Sequence, residues 1–474
     1  MILTSADLLE RKDQIKKVFF FRVCGTGMGA AACLLKEAGY EVSGADSLFN
    51  PPMSTYLKDL EIDLHKLDDI DADFLKKFDL IVVGNVVPRE SEDAKLIESL
   101  DVPLTSFPSA LGGLVLKGRK TVGLSGTHGK TTTTYFATQM FENLGEAPGY
   151  FIGGVLEGKK SSAIGKGDYF FLEADEYDCA YFDKVSKFRR YELKNLIITS
   201  IEFDHADIFT SIEDIKDQFR PLVKEIDGRI IACSDYPATT SLLKEFSKEV
   251  IYYGDESEIG PRIVEAKTNS TIFELNIGNS TERFETSAVG LHNIKNISSL
   301  ILFALGEDFE LGKIKESVKK LSLVKRRQEV RGWHNGAAII DDFAHHPRAV
   351  EATIQAISQR YPDREINVLF EPHSATARSN VFQEDFQRAF LSANNVAITK
   401  LKRSTTVKKA GDLDLAAMKT GLEKEDVKTQ ILSELDDVIS WVKDHSSEKS
   451  IILVLSNGTC LGLWESEFVK NLTK

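Results

Sequence analysis

The sequence predicts an α/β protein with mostly parallel sheets and three domains. Its length of 474 residues exceeds what one ordinary hydrophobic core holds. Short apolar runs alternate with helical patterns along the chain, and glycine or acidic residues follow many of those runs. Parallel sheets covered by helices have this alternation, and their ligands bind where the strands end. We expect domains over residues 1–118, 119–322 and 323–474.

Composition and charge restrict the kind of protein. Apolar residues make up 42% and charged residues 28%, the balance of a globular protein. The formal net charge of −13 argues against a nucleic-acid binder that relies on a broad positive potential. The five cysteines are scattered without a C-x-x-C pair, as in a reducing compartment. No signal peptide or membrane-spanning run is seen, so we expect a cytoplasmic protein that binds neither membrane nor nucleic acid.

A strand, a glycine-rich loop and a helix open the first domain. Val18–Val23 is a predicted strand and Ala30–Ala38 a predicted helix, and further strands are expected over Tyr40–Gly44 and Leu80–Gly84. A Rossmann-like domain holds the phosphates of a nucleotide on such a loop, at the N-terminus of the helix. The second strand leads to Asp46, where an acid can bind ribose hydroxyls. The loop residues expected to bind a diphosphate are Gly25, Gly27, Met28 and Gly29.

A second strand–loop–helix unit predicts a phosphate loop in the central domain. The strand is Thr121–Ser125, and the helix after the loop runs to about Leu144. Backbone N–H groups and the helix dipole bind the β-phosphate in such loops, while Lys130 reaches the β- and γ-phosphates. The strict pattern is not met, because Leu124 stands where it has glycine. The residues expected to bind ATP are Gly126, Thr127, His128, Gly129, Lys130, Thr131 and Thr132.

Two later strands of this domain end in side chains that can bind a metal. Tyr169–Leu172 precedes Glu173, and Leu196–Ile201 precedes His205. Mg²⁺ prefers oxygen ligands, so Glu173 and the Thr131 hydroxyl are candidates, although a solvated acid at a strand end would look the same. Taken alone, His205 is read more simply as a helix cap or a core imidazole.

A third α/β pattern follows the basic cluster at Leu321–Arg331. Its predicted strands are Ala337–Ile340, Ile366–Phe370 and Ile451–Leu455. Each of these strands ends in polar residues, as expected where a parallel sheet binds its ligand. His345 and His346 stand at the turn after the first strand, where a helix cap is the simplest role for either side chain.

These segments together resemble the Mur ligase family. The loop GTHGKTTT resembles the family's ATP loop, whose first position tolerates an apolar residue, and GLHNIKN over residues 290–296 resembles its adenine-binding segment. The motifs IEFDHADIF and DDFAHHP match as well, so the resemblance covers nearly the whole chain. It implies a Rossmann-like UDP-binding domain, a central P-loop ATPase domain and a Rossmann-like domain for the amine substrate. It also implies an ATP- and Mg²⁺-dependent enzyme that joins a carboxylate to an amine through an acyl phosphate.

The resemblance also implies roles for single residues. Glu173 and His205 would bind the metals with Thr131, and the histidine pair would meet the incoming amine, with His345 in a catalytic role. Asn293 could also cap a helix, and surface charge is an alternative for the arginine pair 326–327. Gln218, not Lys216, stands where several members carry a carbamylated lysine, so none is expected here. The residues implied to bind nucleotide are His292, Asn293, Asn296, Arg327 and Asp342; those on the substrate side are His346, His373, Arg378 and Asn457.

Two segments narrow the substrate within the family. Asn50–Thr55 and Glu173–Lys187 resemble the members that join UDP-N-acetylmuramate to the tripeptide L-alanyl-γ-D-glutamyl-meso-diaminopimelate in peptidoglycan recycling in the bacterial cytoplasm. Such members usually read EPRS where this chain has EPHS, with His373 in place of arginine. Histidine cannot hold a carboxylate through two parallel hydrogen bonds, as arginine does. The third residue of the peptide is therefore left open.

Three alternatives remain. A UDP-N-acetylmuramate–L-alanine ligase is favoured by the GTHGK loop, by Gln218 and by His373. A non-catalytic sensor of a UDP-sugar or nucleotide would have the same fold but no need of metal ligands. A dehydrogenase with its dinucleotide on the Gly25–Gly29 loop would explain Asp46, but would not need a second phosphate loop.

Overall fold

The computed structural model describes residues 1–153, 159–255, 257–267, 270–407 and 410–473. The chain divides into two compact units, and each is described by itself. Unit 1 consists of residues 1–202, 215–257 and 299–317, and unit 2 of residues 203–214, 258–298 and 318–474.

Unit 1 begins with a five-stranded parallel sheet. The strands are β1 (Lys17–Phe21), β2 (Glu41–Asp46), β3 (Asp63–Lys66), β4 (Leu80–Val83) and β5 (Leu104–Ser106). The helices are α1 (Ser5–Glu10), α2 (Thr26–Glu37), α3 (Met53–Asp59), α4 (Ala72–Leu75), α5 (Glu92–Glu98) and α6 (Phe107–Leu114). The strand order β3-β2-β1-β4-β5 puts β1 in the middle, where Phe19 and Phe21 pack against Ile81 and Val83 in one buried cluster. The loop after β1 is thus held by a rigid core.

A second sheet of unit 1 carries the predicted phosphate loop. Its strands are β6 (Lys120–Ser125), β7 (Gly149–Phe151), β8 (Ser162–Ala163), β9 (Tyr169–Ala174), β12 (Asn195–Ile198), β13 (Ile230–Cys233) and β14 (Val250–Tyr253), and β10 (Asp178–Ala180) and β11 (Asp183–Ser186) form a separate hairpin. The helices are α7 (Lys130–Asn143), α8 (Ile212–Glu225) and α9 (Pro237–Leu243). The order is β14-β13-β12-β6-β9-β7-β8, and only the β7–β8 pair of this sheet is antiparallel. The loop after β6 therefore lies between the ends of β12 and β9.

Helix α6 packs closely because it contains two glycines. A Cβ atom on Gly112 would overlap the carbonyl oxygen of Arg190, and one on Gly113 would lie 2.5 Å from the carbonyl oxygen of Ser5. Both obstacles are backbone atoms, which cannot turn aside as a side chain can. The hydroxyl of Ser5 also donates a hydrogen bond of 2.7 Å to the carbonyl of Arg190. These contacts tie the N-terminal sheet's helices to the segment that follows β11.

Unit 2 contains an antiparallel sheet and a larger, mostly parallel one. The first is formed by β15 (Arg262–Ala266), β16 (Thr271–Ile277) and β17 (Ser280–Thr286), and helices α10 (Leu291–Gly306) and α11 (Leu311–Lys319) have residues in both units. The second contains β18 (Glu329–His334), β19 (Ala337–Asp342), β20 (Glu365–Glu371), β21 (Asn395–Thr399), β22 (Lys428–Leu432) and β23 (Ser450–Ser456). Its helices are α12 (Pro347–Arg360), α13 (Gln383–Ala389), α14 (Leu415–Lys424), α15 (Leu435–Asp444) and α16 (Glu467–Lys470). The order β18-β19-β23-β20-β21-β22 places β23 and β20 at its centre, and only β18 runs antiparallel to its neighbour.

The fold agrees with the predicted α/β class and its mostly parallel sheets. Each strand named from the sequence is present, with ends that differ by a few residues. The antiparallel β15–β17 was not predicted. The domain bounds 1–118, 119–322 and 323–474 stay predictions. Among the residues that the structure describes, none of the helices combines the length and the hydropathy of a membrane span.

Candidate active site

The loop between β6 and α7 has the backbone of a phosphate-binding turn. Gly126 and Gly129 have φ angles of 136° and 81°, which favour glycine. A Cβ atom on Gly126 would also overlap the hydroxyl of Thr199 and lie 2.7 Å from the backbone nitrogen of Ser200. Helix α7 begins at Lys130 without a side-chain cap from the described residues. The N–H groups of its first turn are therefore available to an anion.

The segment after β12 fixes this loop. The N–H of Thr127 donates to the carbonyl of Ser200 (3.0 Å), and the N–H of His128 donates to the Ser200 hydroxyl (2.9 Å). Glu202 contacts the same two loop residues: its N–H donates to the Thr127 hydroxyl (2.8 Å), and its carboxylate lies 3.1 Å from Nε2 of His128. His128, predicted as part of the ATP loop, thus holds the loop's shape through its side chain.

Lys130 is surrounded by acids. Its ammonium lies 2.9 and 3.1 Å from the two carboxylate oxygens of Glu176 and 3.8 Å from Asp175, and only 12% of its side chain is exposed. Burial by itself lowers the pKa of Lys130, but Glu176, Asp175 and Glu173 outweigh it and hold the pKa above its usual value. The side chain is therefore a charged ammonium, as a ligand of phosphate oxygens must be. Asp175 and Glu176 follow β9 directly, but neither was predicted to be a site residue.

Two oxygen donors beside Lys130 fit a magnesium ion. The hydroxyl of Thr131 donates to Oε1 of Glu173 at 2.8 Å, and the other Glu173 oxygen accepts from the N–H of Gly153 at 2.6 Å. Adjacent ligands of an octahedral Mg²⁺ with bonds of about 2.1 Å lie roughly 3 Å apart, close to the separation of the Thr131 and Glu173 oxygens. Hydroxyl and carboxylate oxygens are also the ligand types that this ion prefers. The predicted pair therefore fits the metal.

Gln218 reaches the segment that follows these acids. Its side-chain oxygen accepts a hydrogen bond of 3.1 Å from the hydroxyl of Ser186, which also donates to the carbonyl of Glu176. The ammonium of Lys216 lies 3.7 Å from Glu245. That Gln218 stands at the carbamyl-lysine position, and that the site is unmodified, stay predictions.

The N-terminal glycine loop begins α2, as predicted. Gly25 is the residue before the helix, so Gly27, Met28 and Gly29 lie in its first turn. The carboxylate of Asp46 accepts from the N–H of Cys24 at 2.8 Å and from that of Ser47 at 2.7 Å. Asp46 therefore braces the loop, and its predicted ribose contact would use the lone pairs that remain.

In unit 2, three imidazoles surround a buried acid. Burial raises the pKa of Asp204, but His205, His345 and His346 outweigh it and hold the pKa well below its usual value. His205 has the unusual φ of 53°, and its N–H donates to Asp204 at 2.7 Å. Nδ1 of His345 lies 3.1 Å from the carbonyl oxygen of Phe343. Because a carbonyl can only accept, Nδ1 of His345 carries a proton.

The residues predicted to bind adenosine gather elsewhere in unit 2. Nε2 of His292 lies 3.4 Å from the side-chain nitrogen of Gln328. The backbone N–H of Gln328 donates to Asp342 at 2.8 Å. The second oxygen of Asp342 accepts from the N–H of Ala344, also at 2.8 Å. Burial raises the pKa of Asp342, opposed by the nearby charge of Arg327. Asn296 is buried in α10, and Asn293 in the same helix donates to the carbonyl of Val289 (2.8 Å).

The arginine pair 326–327 lies beside the ring of Phe343, and Arg326 also contacts the turn after β23. Arg326 donates to the carbonyls of Ser456 and Gly458 (2.6 and 2.8 Å) and pairs with Asp341 (3.3 Å). It therefore fixes the turn after β23. Both guanidinium groups lie over the ring of Phe343, that of Arg327 at 4.9 Å and that of Arg326 at 5.4 Å from its centre. The phosphate contact of Arg327 stays a prediction.

The predicted substrate-side residues follow the central strands of the larger sheet in unit 2. Arg378 donates to the carbonyl of His373 and is 3% exposed. Glu371 accepts from the hydroxyl of Ser456 (2.5 Å) and from the N–H of Cys460 (2.8 Å), so it shapes the turn that presents Asn457. Burial raises the pKa of Glu371, but these hydrogen bonds outweigh it and lower the pKa. The negative charge of Glu371 therefore stabilises the turn after β23.

Comparison with known proteins decides the family. The family descriptions "Mur ligase family, catalytic domain", "Mur ligase middle domain" and "Mur ligase, glutamate ligase domain" match residues 17–119, 124–304 and 326–458. The UDP-N-acetylmuramate–L-alanyl-γ-D-glutamyl-meso-2,6-diaminoheptandioate ligase of Escherichia coli (strain K12) is 34% identical over 80% of this chain and 84% of its own. The chain belongs to the Mur ligase family.

Other relatives match this Mur ligase over nearly its whole length. The ligase of the same name from Haemophilus influenzae (strain Rd) is 31% identical over 95% of this chain and 98% of its own. A UDP-N-acetylmuramate–L-alanine ligase of Caldanaerobacter subterraneus is 27% identical over 97% and 98%. The solved murein peptide ligase of Psychrobacter arcticus 273-4 has a TM-score of 0.69 and 26% identity, and covers 97% of this chain and 100% of its own.

Family membership confirms several predictions. The Mur ligase is an ATP- and Mg²⁺-dependent enzyme that forms an amide bond, with the three-domain α/β architecture of its relatives. The roles given to single residues stay predictions. The non-catalytic sensor and the dehydrogenase have no support from these relatives.

Proposed function

We propose that this Mur ligase joins the lactoyl carboxylate of UDP-N-acetylmuramate to the amino group of L-alanyl-γ-D-glutamyl-meso-diaminopimelate. ADP and phosphate are released, and the product returns old wall peptide to peptidoglycan synthesis in the bacterial cytoplasm. The observation that carries the proposal is the pair of relatives named for this reaction, at 34% and 31% identity. Relatives named for the alanine reaction share between 26% and 30%.

The reaction has two halves. A carboxylate oxygen of UDP-N-acetylmuramate attacks the γ-phosphorus of ATP, and the bond from that phosphorus to the bridging oxygen of ADP breaks. The peptide amine then attacks the carbonyl carbon of the acyl phosphate, loses a proton, and phosphate leaves. Both halves move negative charge, so the protein has to position and neutralise charge rather than supply a nucleophile.

The phosphate loop is proposed to neutralise charge in the first half. The Lys130 ammonium and the N–H groups at the start of α7 would bind the β- and γ-phosphates. Thr131 and Glu173 would hold Mg²⁺, which neutralises phosphate oxygens when bound, and we propose His205 as a ligand of a second ion. The backbone at Gly25, Gly27, Met28 and Gly29 is proposed to hold the diphosphate of the UDP-sugar in the same manner.

His345 is proposed to act in the second half. The hydrogen bond from its Nδ1 to Phe343 orients the ring, and Nε2 is proposed to accept the proton that the attacking amine loses. His346 would orient the amine. Arg378, buried at the end of β20, is proposed to bind a carboxylate of the same peptide and to align it.

Phosphate release with different amines tests the proposal. The purified protein is supplied with ATP, Mg²⁺ and UDP-N-acetylmuramate, and then with either the tripeptide or L-alanine. We expect kcat/KM to be at least about a hundredfold higher with the tripeptide, as when a site has partners for groups that the smaller substrate lacks. Mass spectrometry should find the UDP-muramoyl tripeptide. A higher kcat/KM for L-alanine would establish the alanine ligase instead, and absence of phosphate release with every amine would overturn both.

A further inference from the structure

Four basic side chains lie at one edge of the larger sheet in unit 2. Strands β23, β20 and β21 are neighbours and run parallel, so the segments after them leave the sheet on the same side. His373 and Arg378 follow β20, and Lys402 and Arg403 follow β21. Of these four, only His373 and Arg378 were predicted to lie on the substrate side.

Hydrogen bonds join the two segments. The hydroxyl of Thr405 donates to the carbonyl of Ala375 (2.8 Å), and the N–H of Leu413 donates to the carbonyl of Arg378 (2.7 Å). The Lys402 ammonium reaches across to Glu371, 3.7 Å from its carboxylate. The cations of the two segments are therefore held close together by their backbones.

Their mutual effects on ionisation agree with this placement. Burial lowers the pKa of His373; Arg403, Arg378 and Lys402 lower it further, while Glu371 raises it. Burial also lowers the pKa of Arg378, and Arg403 adds to that effect. His373 is therefore neutral at pH 7, and three full positive charges surround it.

Two acids, Glu371 and Asp412, lie near the three cations. Glu371 is 2% exposed and already accepts from Ser456 and Cys460, and Asp412 accepts from the N–H of Thr405 at 2.7 Å. Arg403 has no carboxylate partner among the described residues, and Nε of the buried Arg378 is without a hydrogen-bond partner there. Three positive charges beside two carboxylates leave one charge unbalanced, and like charges held close together are unfavourable. In a chain with a net charge of −13, such a cluster indicates an anionic ligand.

We infer that Lys402 and Arg403 bind the carboxylates of the peptide's third residue, supplying the charge that His373 does not. This inference rests on the proposed function. The tripeptide has three free carboxylates, one on glutamate and two on diaminopimelate, whereas L-alanine has one. Arg378, Lys402 and Arg403 match that number. Arg378 is buried and binds the carboxylate nearer the reacting amine. Lys402 and Arg403 are more exposed and bind the far end of the peptide.

Two peptides and one double variant test the inference. The peptides end in meso-diaminopimelate or in L-lysine, which lacks only the distal carboxylate. We expect the wild-type KM to be about tenfold lower for the first peptide, the value of one charge-assisted hydrogen bond. In Lys402→Ala/Arg403→Ala, KM for the diaminopimelate peptide should rise about tenfold or more at nearly constant kcat, and KM for the lysine peptide should rise much less, so that the preference is lost.

Two further variants serve as controls. Lys428→Ala removes an exposed lysine at the start of β22, the opposite edge of the same sheet, and should leave both KM values unchanged. Arg403→Lys keeps the charge and should retain most of the preference. Thermal unfolding monitors the fold of each variant.

The outcomes separate the two proposals. Equal KM values for both peptides in the wild type, or an equal rise for both in the double variant, would overturn the inference while leaving the proposed function intact. Product from L-alanine in preference to both peptides would overturn the proposed function itself.

Discussion

The ammonium of Lys130 lies 2.9 Å from one carboxylate oxygen of Glu176 and 3.1 Å from the other. Glu176 is 3% exposed, so the pair is buried and each charge depends on its partner. An acid from the end of β9 thus holds the lysine of the phosphate loop in place. Buried pairs of this kind are costly to break because the remaining charge has no solvent.

Lys130→Met is expected to lower turnover by about a thousandfold or more, since the charge that stabilises the transferred phosphoryl group is lost. It also removes the ammonium beside the buried carboxylate of Glu176, which costs about 3–5 kcal/mol of folding stability. The double variant Lys130→Met/Glu176→Gln removes that buried charge, so it should regain stability without regaining activity. Phosphate release and chemical unfolding measure the two effects, and activity of either variant within about tenfold of wild type would contradict the role of Lys130.

Glu173→Gln is expected to raise the Mg²⁺ concentration for half-maximal activity by about tenfold or more, because an amide oxygen is a weaker ligand than a carboxylate. Glu142→Gln is the matched control, since Glu142 lies in α7 and pairs with the surface residue Lys159 at 2.6 Å. Magnesium titrations of phosphate release compare the variants. An unchanged Mg²⁺ dependence in Glu173→Gln would rule out the metal role of this acid.

His373 is expected to make the protein less stable as the pH falls below about 6.5, the usual pKa of histidine. Burial lowers its folded-state pKa, and Arg403, Arg378 and Lys402 lower it further against Glu371. The unfolded chain therefore binds more protons than the folded one, and stability is lost on acidification through this range. His373→Gln removes this titrating imidazole, so the free energy of unfolding of the variant should fall less than that of wild type between pH 7.5 and about 5. A larger fall in the variant would show that the sign is wrong.

Gly112→Ala is expected to destabilise unit 1 by about 1–3 kcal/mol, because the new methyl group meets the backbone of Arg190. Gly312→Ala is the matched control, since Gly312 lies in α11 and nothing stands within 4 Å of its added Cβ. Alanine is the better helix former, so that control should gain up to about 1 kcal/mol. Thermal unfolding measures both, and equal melting temperatures would contradict the close packing of α6.

Local sequence patterns predicted the strands of the parallel sheets and the phosphate loop. Strands such as Leu80–Val83 and Ser450–Ser456 contain continuous apolar runs because both faces of a parallel sheet are buried. The phosphate loop could be recognised because its glycines, Lys130 and Thr131 are adjacent in sequence. The antiparallel strands β15–β17 were not predicted because charged residues interrupt their apolar pattern. Glu274 and Arg283, for example, are cross-strand partners in that sheet.

The partners of the site residues were harder to predict because the fold brings them together. Glu176 looks like any solvated acid in the sequence, and its pairing with Lys130 depends on β6 and β9 being neighbours. Lys402 and Arg403 belong to a polar loop whose placement beside Arg378 depends on the pairing of β20 and β21. Asp46 was predicted to bind substrate, and its carboxylate also accepts a hydrogen bond from the N–H of Cys24 in the loop after β1.

The most direct test of the proposed chemistry follows one oxygen atom. UDP-N-acetylmuramate labelled with ¹⁸O in both lactoyl carboxylate oxygens is incubated with the protein, ATP, Mg²⁺ and the tripeptide, and the released phosphate is examined by mass spectrometry. An acyl phosphate requires one carboxylate oxygen to leave with phosphorus, so each phosphate should carry a single ¹⁸O and the amide should keep the other. Phosphate released without label while the amide forms would contradict the mechanism.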